Sequence, residues 1–229
     1  LPYEKFDLSN EVTRIEFSET DKNILALGDE RGKLTIVDLE KRAILNTVQL
    51  FDDEVTGLAF YKDKQLLVSG NSSRLFQVDV HTGKIVRTIE TKGLKEGIYH
   101  AAGIKHCVRD RINQVIYIEA QDKIVTTHGW DYCHDFKVKV WDGSTGNIVR
   151  EITQFKHPVQ LMTWMSKPQS LVFVDHGRNL WRLSLSDFRL STPIYLPETM
   201  TTYHRLPERD DEIKLNFGNI QSLTTIPGT

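Results

Sequence analysis

Residues Lys137–Ile152, KVKVWDGSTGNIVREI, carry a strand, a turn and a second strand in one short stretch. From Lys137 to Trp141 long polar and apolar side chains alternate, the period-2 pattern of a strand with one buried face. Asp142, Gly143, Ser144, Thr145, Gly146 and Asn147 follow. These residue types bend a chain or tolerate positive φ, and a second apolar run, Ile148 to Ile152, begins directly after them.

The same arrangement recurs along the chain. LTIVDLEKRAILNTV, LFQVDVHTGKIVRTI and LWRLSLSDFRLSTPI each hold a strand, a short turn and another strand. The register points Asp38, Asp79, Asp142 and Ser184 are separated by 41, 63 and 42 residues, so two spacings equal one repeat and the third contains about 20 added residues. Two further strand-like runs precede each copy: VTRIEF and ILALGD, VTGLAF and LLVSGN, VIYIEA and IVTTHG, VQLMTW and LVFVDHG. Four strands per unit of about 42 residues is the signature of a propeller blade. A helical reading fails because the apolar runs are short and bounded by Gly, Asp and Asn.

On these repeats, and on the VWD and TGNIV of the third copy, the sequence resembles the WD40-repeat family. The resemblance implies an all-β propeller that serves as a rigid platform for assembling other proteins. Its expected blades span about 12–50, 54–90, 115–155 and 159–196. It also implies a buried polar set, a His before the first strand and an Asp in the turn before the third, for which His157 and Asp131 or Asp135 are the candidates. Phe17, Phe60 and Trp164 fall at matching positions in the innermost strands and are expected to fill the core between blades. Gly28, Gly70, Gly129 and Gly177 close the second strand, where a tight turn needs positive φ or a missing Cβ.

The ends repeat the pattern in fragments. Lys5 to Leu8 match the outer strand of a preceding blade, and Ile220 to Pro227 match the innermost strand of a following one. The expectation is about four blades with partial blades at both ends, belonging to a larger propeller of seven or eight. The chain starts at Leu1 with neither an initiator Met nor a signal-like leader, in keeping with a segment of a longer polypeptide.

Composition narrows the function. There are 29 basic and 31 acidic residues and 39% hydrophobic ones, enough for one core and without a global field for nucleic acid. Two cysteines do not make a secreted disulfide framework, and no apolar run reaches the length of a membrane helix. An intracellular setting, cytoplasmic or nuclear, is expected. No phosphate loop, nucleophile elbow or zinc-protease helix motif is present, so neither catalysis nor a cofactor is expected.

Two insertions interrupt the period, at 91–114 and 197–219, and a third departure, GWDYCHD, lengthens the turn at 129–135. The resemblance implies that such loops emerge on one rim, where binding on rigid scaffolds resides. Tyr99, Arg109, Arg111, Trp130 and Tyr132 are the candidate protein-contact residues, a mixture of aromatics and Arg enriched at interfaces. An alternative is RNA binding by the basic 91–114 segment, with Tyr99 and Trp130 stacking on bases. His100, Cys107, His128, Cys133 and His134 could converge on one zinc ion, although their spacing matches no known zinc signature and Cys107 packing as a small apolar residue is the simpler reading.

Overall fold

The computed structural model describes residues 8–18, 20–62, 64–91, 110–129, 136–167 and 169–196, with the backbone of three short strands at 204–205, 212–215 and 223–226. Strands β1 (Val12–Phe17), β2 (Ile24–Asp29), β3 (Lys33–Asp38) and β4 (Ala43–Gln49) form the first blade. The second comprises β5 (Val55–Tyr61), β6 (Gln65–Gly70), β7 (Arg74–Asp79) and β8 (Ile85–Glu90). In the third are β9 (Ile112–Ile118), β10 (Lys123–His128), β11 (Lys137–Asp142) and β12 (Ile148–Ile152), and in the fourth β13 (Val159–Met165), β14 (Ser170–Asp175), β15 (Asn179–Ser184) and β16 (Ile194–Tyr195). Each is an antiparallel meander in chain order. β9 starts at Ile112, inside the stretch read from sequence as an insertion.

The first strands β1, β5, β9 and β13 lie side by side, so the blades radiate from a common hub. The short strand β19 (Leu223–Ile226) lies next to β13 in the same way. It pairs with β18 (Glu212–Leu215), which pairs with β17 (His204–Arg205). The fragment expected at Lys5–Leu8 lies outside the described residues apart from Leu8, which is not in a strand.

The core sits between blades, because a sheet hidden on both faces needs a neighbour on each side. Ile24, Ala26, Leu34 and Ile36 of blade 1 meet Val55, Leu58, Leu66 and Val68 of blade 2. Blade 2 meets blade 3 through Tyr61, Leu67 and Leu75 against Val115, Ile124 and Trp141. A third layer joins Val125, Val138 and Val140 to Met162, Leu171 and Phe173. Side chains of this kind contribute roughly 1.5–3 kcal/mol each on full burial. Phe60 and Trp164 pack on these layers as expected. Phe17 does not: its side chain is 55% exposed, since no described blade precedes the first.

At one end of blades 1 to 3, the turn between third and fourth strands repeats the same aspartate anchor, while blade 4 has Ser184 at that position. Asp38 accepts the backbone N–H of Lys41 at 2.8 Å, Asp79 that of Thr82 at 2.7 Å and Asp142 that of Thr145 at 2.9 Å. The Thr82 and Thr145 hydroxyls donate to the same carboxylates. Four residues after each of these aspartates, and after Ser184 in blade 4, the backbone turns left-handed, at Arg42, Gly83, Gly146 and Phe188 (φ 53°, 68°, 70° and 56°). Only Gly takes this conformation without a steric cost.

The outer strand then reaches across to the next blade. Asn46 donates to the carbonyls of Val80 and His81 at 2.9 and 2.8 Å. At the matching position Arg87 donates to Gly143 and Ser144 carbonyls at 2.9 and 2.7 Å. Arg150, the third member, lies over the Phe188 ring at 5.9 Å.

Candidate functional site

At the opposite end of each blade the chain must join the segment before the first strand to the end of the second. The residue two places before the first strand is Asn10, Asp53, Asp110 or His157 in blades 1 to 4. In blade 1, Asn10 donates to Asp29 at 2.7 Å. In blade 2 the roles are exchanged, with Asn71 donating to Asp53 at 2.5 Å. Blade 3 also places the acid first, with Asp110 facing His128. Blade 4 carries Asp175, which accepts from Trp181 Nε1 at 2.9 Å and from Asn179, while His157 packs so closely that a Cβ on Gly177 would fall 2.3 Å from its ring. His157, expected as a buried His before the first strand, is exposed, and the acid at the end of the second strand of its blade is Asp175, which the sequence reading did not name. Asp131 and Asp135 lie outside the described residues.

Blade 3 has the most elaborate joint. Trp141 Nε1 donates to Thr126 Oγ1 at 2.8 Å, and Thr126 Oγ1 lies 2.6 Å from His128 Nε2. His128 Nδ1 faces the Asp110 carbonyl at 3.0 Å and its carboxylate at 3.4 Å. Because a carbonyl can only accept, Nδ1 carries the hydrogen. Nε2 is then the acceptor for the Thr126 hydroxyl, and a neutral ring satisfies every contact. Lys139 Nζ pairs with Asp110 at 2.5 Å, Lys137 Nζ lies 3.6 Å from the same carboxylate, and Glu151 lies 3.8 and 3.9 Å from the two ammonium groups. Burial and then Lys139 push the His128 pKa down to about 4, against the pull of Asp110. Burial raises the Asp110 pKa, yet His128, Lys139 and Lys137 together hold it below the usual carboxylate range.

A hydroxyl, an imidazole and a carboxylate in series resemble a nucleophilic relay. Here Thr126 and His128 have no exposed surface, Asp110 is 2% exposed, and the hydroxyl oxygen already accepts from Trp141. A group closed to substrate on every side holds structure together instead.

The joint lies where two irregular segments meet. Gly129 N donates to the Arg111 carbonyl at 3.1 Å, and Asn113 Nδ2 to the Gly129 carbonyl at 2.6 Å. The end of the first insertion and the start of the GWDYCHD departure are therefore bonded to each other. Of the five contact candidates, Arg111 is described: it is mostly buried and paired with Glu54 of blade 2. Tyr99, Arg109, Trp130 and Tyr132 lie outside the described residues. So do His100, Cys107, Cys133 and His134; His128, the remaining zinc candidate, has both ring nitrogens engaged.

Sequence reasoning missed two features. One is the Asp110–Lys139 pair, whose members are far apart in sequence and of which Lys139 sits on the strand read as half polar. The other is a cavity of about 500 Å³ along the hub, bordered by Phe17, Phe60, Tyr117 and Trp164 at one common register, with Arg14 and Glu16 among its charged groups. Aromatic side chains at the fifth step of every first strand were its signal. Arg14 is itself held by the Thr56 and Thr13 carbonyls at 2.7 Å.

No protein-family model matches this chain, and neither does any curated protein. Solved structures do. A chain of a mitotic checkpoint complex superimposes with a TM-score of 0.71 at 14% identity, covering 96% of this chain and 62% of its own length. The β-propeller domain of Cps50 (Swd1) from Myceliophteria thermophila superimposes with a TM-score of 0.65 at 12% identity, covering 90% of this chain and 62% of its own. The chain thus spans 62% of the length of each. With its four-stranded antiparallel blades, radial first strands and inter-blade core, the chain has the WD40-type β-propeller fold.

Proposed function

We propose that this chain is a non-enzymatic interaction scaffold, a subunit of an intracellular multi-protein assembly. The observation that carries the reading is the bonded root of the two irregular segments on blade 3. A partner surface needs several anchors at fixed spacing, because each group ordered in advance lowers the entropy cost of binding. A buried joint of Trp141, Thr126, His128, Asp110 and Lys139 supplies that fixed base. Tyr99, Arg109, Trp130 and Tyr132 are the proposed contact residues, with Arg111 tying the end of their loop to Glu54, and proteins are the proposed partners. One of the solved neighbours belongs to a protein complex, which agrees with this reading.

Combined alanine replacement of Arg109, Trp130 and Tyr132 is the test. The expected outcome is loss of co-purifying partners from native cells, with thermal stability within about 0.5 kcal/mol of the parent. Equal loss of folding would make these residues core. Retention on heparin beyond about 0.2 M salt would favour a nucleic acid over a protein partner.

A further inference from the structure

We propose that blade 3 contains an acid-operated latch: neutral His128 pins the segment before β9 to the end of β10, and its protonation opens this rim while the rims of blades 1 and 2 stay closed. Among the described residues, four charged side chains surround the imidazole. They are Asp110 from the segment before β9, Lys137 and Lys139 from β11, and Glu151 of β12 beside the two lysines. Among the described residues two lysines meet two carboxylates there, with Glu151 at the exposed edge. A proton added to His128, which has no exposed surface, places a charge where water cannot reach it, and that is costly.

The hydrogen bonds reach the same conclusion independently. Trp141 donates to Thr126, Thr126 donates to Nε2, and Nδ1 donates to the Asp110 carbonyl, so the polarity runs one way through the series. A hydrogen on Nε2 reverses the middle link. Thr126 Oγ1 would then accept from both sides at once, and its own hydrogen would have to find a new partner in a fully buried site.

The other blades supply internal controls. Blades 1 and 2 join the corresponding segments through Asn10–Asp29 and Asn71–Asp53, with no imidazole in either. His157 of blade 4 is exposed. The low pKa of His128 agrees with the geometry.

Hydrogen exchange of the whole chain, corrected for intrinsic rates, reads the latch directly. Between about pH 7 and about pH 4.5, the open fraction of peptides covering 112–128 is expected to rise on the order of 50-fold, since the open form binds a proton at the ordinary imidazole pKa and the closed form only near 4. Peptides covering 55–70 of blade 2 should change less than about threefold. His128→Asn, which replaces the imidazole by an amide that takes up no proton, should remove most of the blade 3 rise. Parallel opening of both blades, or an unchanged rise in His128→Asn, would overturn the proposal. If that variant is unfolded at about pH 7, imidazole ¹⁵N shifts of the parent chain decide instead. Charging of His128 together with loss of blade 3 protection supports the latch, and charging near the ordinary value with protection retained refutes it.

Discussion

The two ends of blade 3 solve a similar problem with different materials. At the turn, Asp142, Thr145 and Gly146 complete their bonds within five residues, and blade 2 repeats them with Asp79, Thr82 and Gly83. At the rim, Asp110 meets His128 and Lys139 across 18 and 29 residues, and no other blade uses that set. A local turn depends on backbone geometry that any blade shares, so selection of one residue set suits all. A rim joint only requires one donor and one acceptor on two chain segments, so either segment can hold the acid. The difference explains why the turns repeat and the rims vary.

The largest effect should come from cutting the rim at its acid. Asp110→Ala leaves Lys139 buried without its closest partner and should cost about 3–5 kcal/mol, whereas Asp142→Ala at the turn removes exposed bonds that water can replace and should cost clearly less. Denaturant unfolding of both variants measures this. Equal losses would mean that the two ends are not energetically distinct.

Acid titration sharpens the same contrast. The unfolded chain takes up a proton at His128 near pH 6.5 but the folded chain only at about 4, so stability present above that window declines as pH falls through it, by on the order of 3 kcal/mol. Asp142, held down at about 2 by the Thr145 N–H and hydroxyl and then Lys123, acts in a different window. Its contribution persists until pH drops below the ordinary carboxylate value of about 4 and is lost toward 2. Unfolding midpoints measured at successive pH values should therefore show two descending steps, with His128→Asn lacking the upper one.

The smallest effect lies at the turn itself. Arg42 adopts φ 53° where blades 2 and 3 have Gly, so Arg42→Gly should raise stability by up to about 1 kcal/mol. Gly146→Ala should lower it by at least as much, because φ is 70° there and the new Cβ would sit 3.1 Å from the Arg87 guanidinium. Thermal melts of the two variants check the pair of signs.

Much of this was legible in the residue string. The alternation in Lys137–Trp141 and the DVHTG and DGSTG turns located strands and reversals because their causes lie within a few residues. The rim was not legible, since searching each repeat for His first and Asp later passes over Asn10–Asp29, Asn71–Asp53 and Asp110–His128. His128 stood out by its nearness to Cys133 as a metal candidate, and only the fold reveals that strand β10 turns it inward. Lys137 and Lys139 looked like the solvated side of an alternating strand. Both are buried, because the acid that neutralises them arrives from a distant segment. Phe17 matched Phe60 and Trp164 in register, yet its burial depends on what precedes the first blade, which periodicity does not encode.

Asn46, Arg87 and Arg150 all project from an outer strand onto the turn of the blade that follows, never the reverse. Like overlapping roof tiles, the blades have a lay direction. Mechanical load applied through the amino-terminal side lifts the top tile first: detaching blade 1 breaks the Asn46, Thr13 and Arg14 bonds to blade 2 together with the apolar layer between them, and leaves the Arg87 and Arg150 contacts intact. Load applied from the other side must slide blade 4 out from beneath Arg150 while that side chain still holds Phe188. Resistance to pulling is thus expected to differ between the two ends of the same array, a ratchet-like anisotropy built from one repeated position.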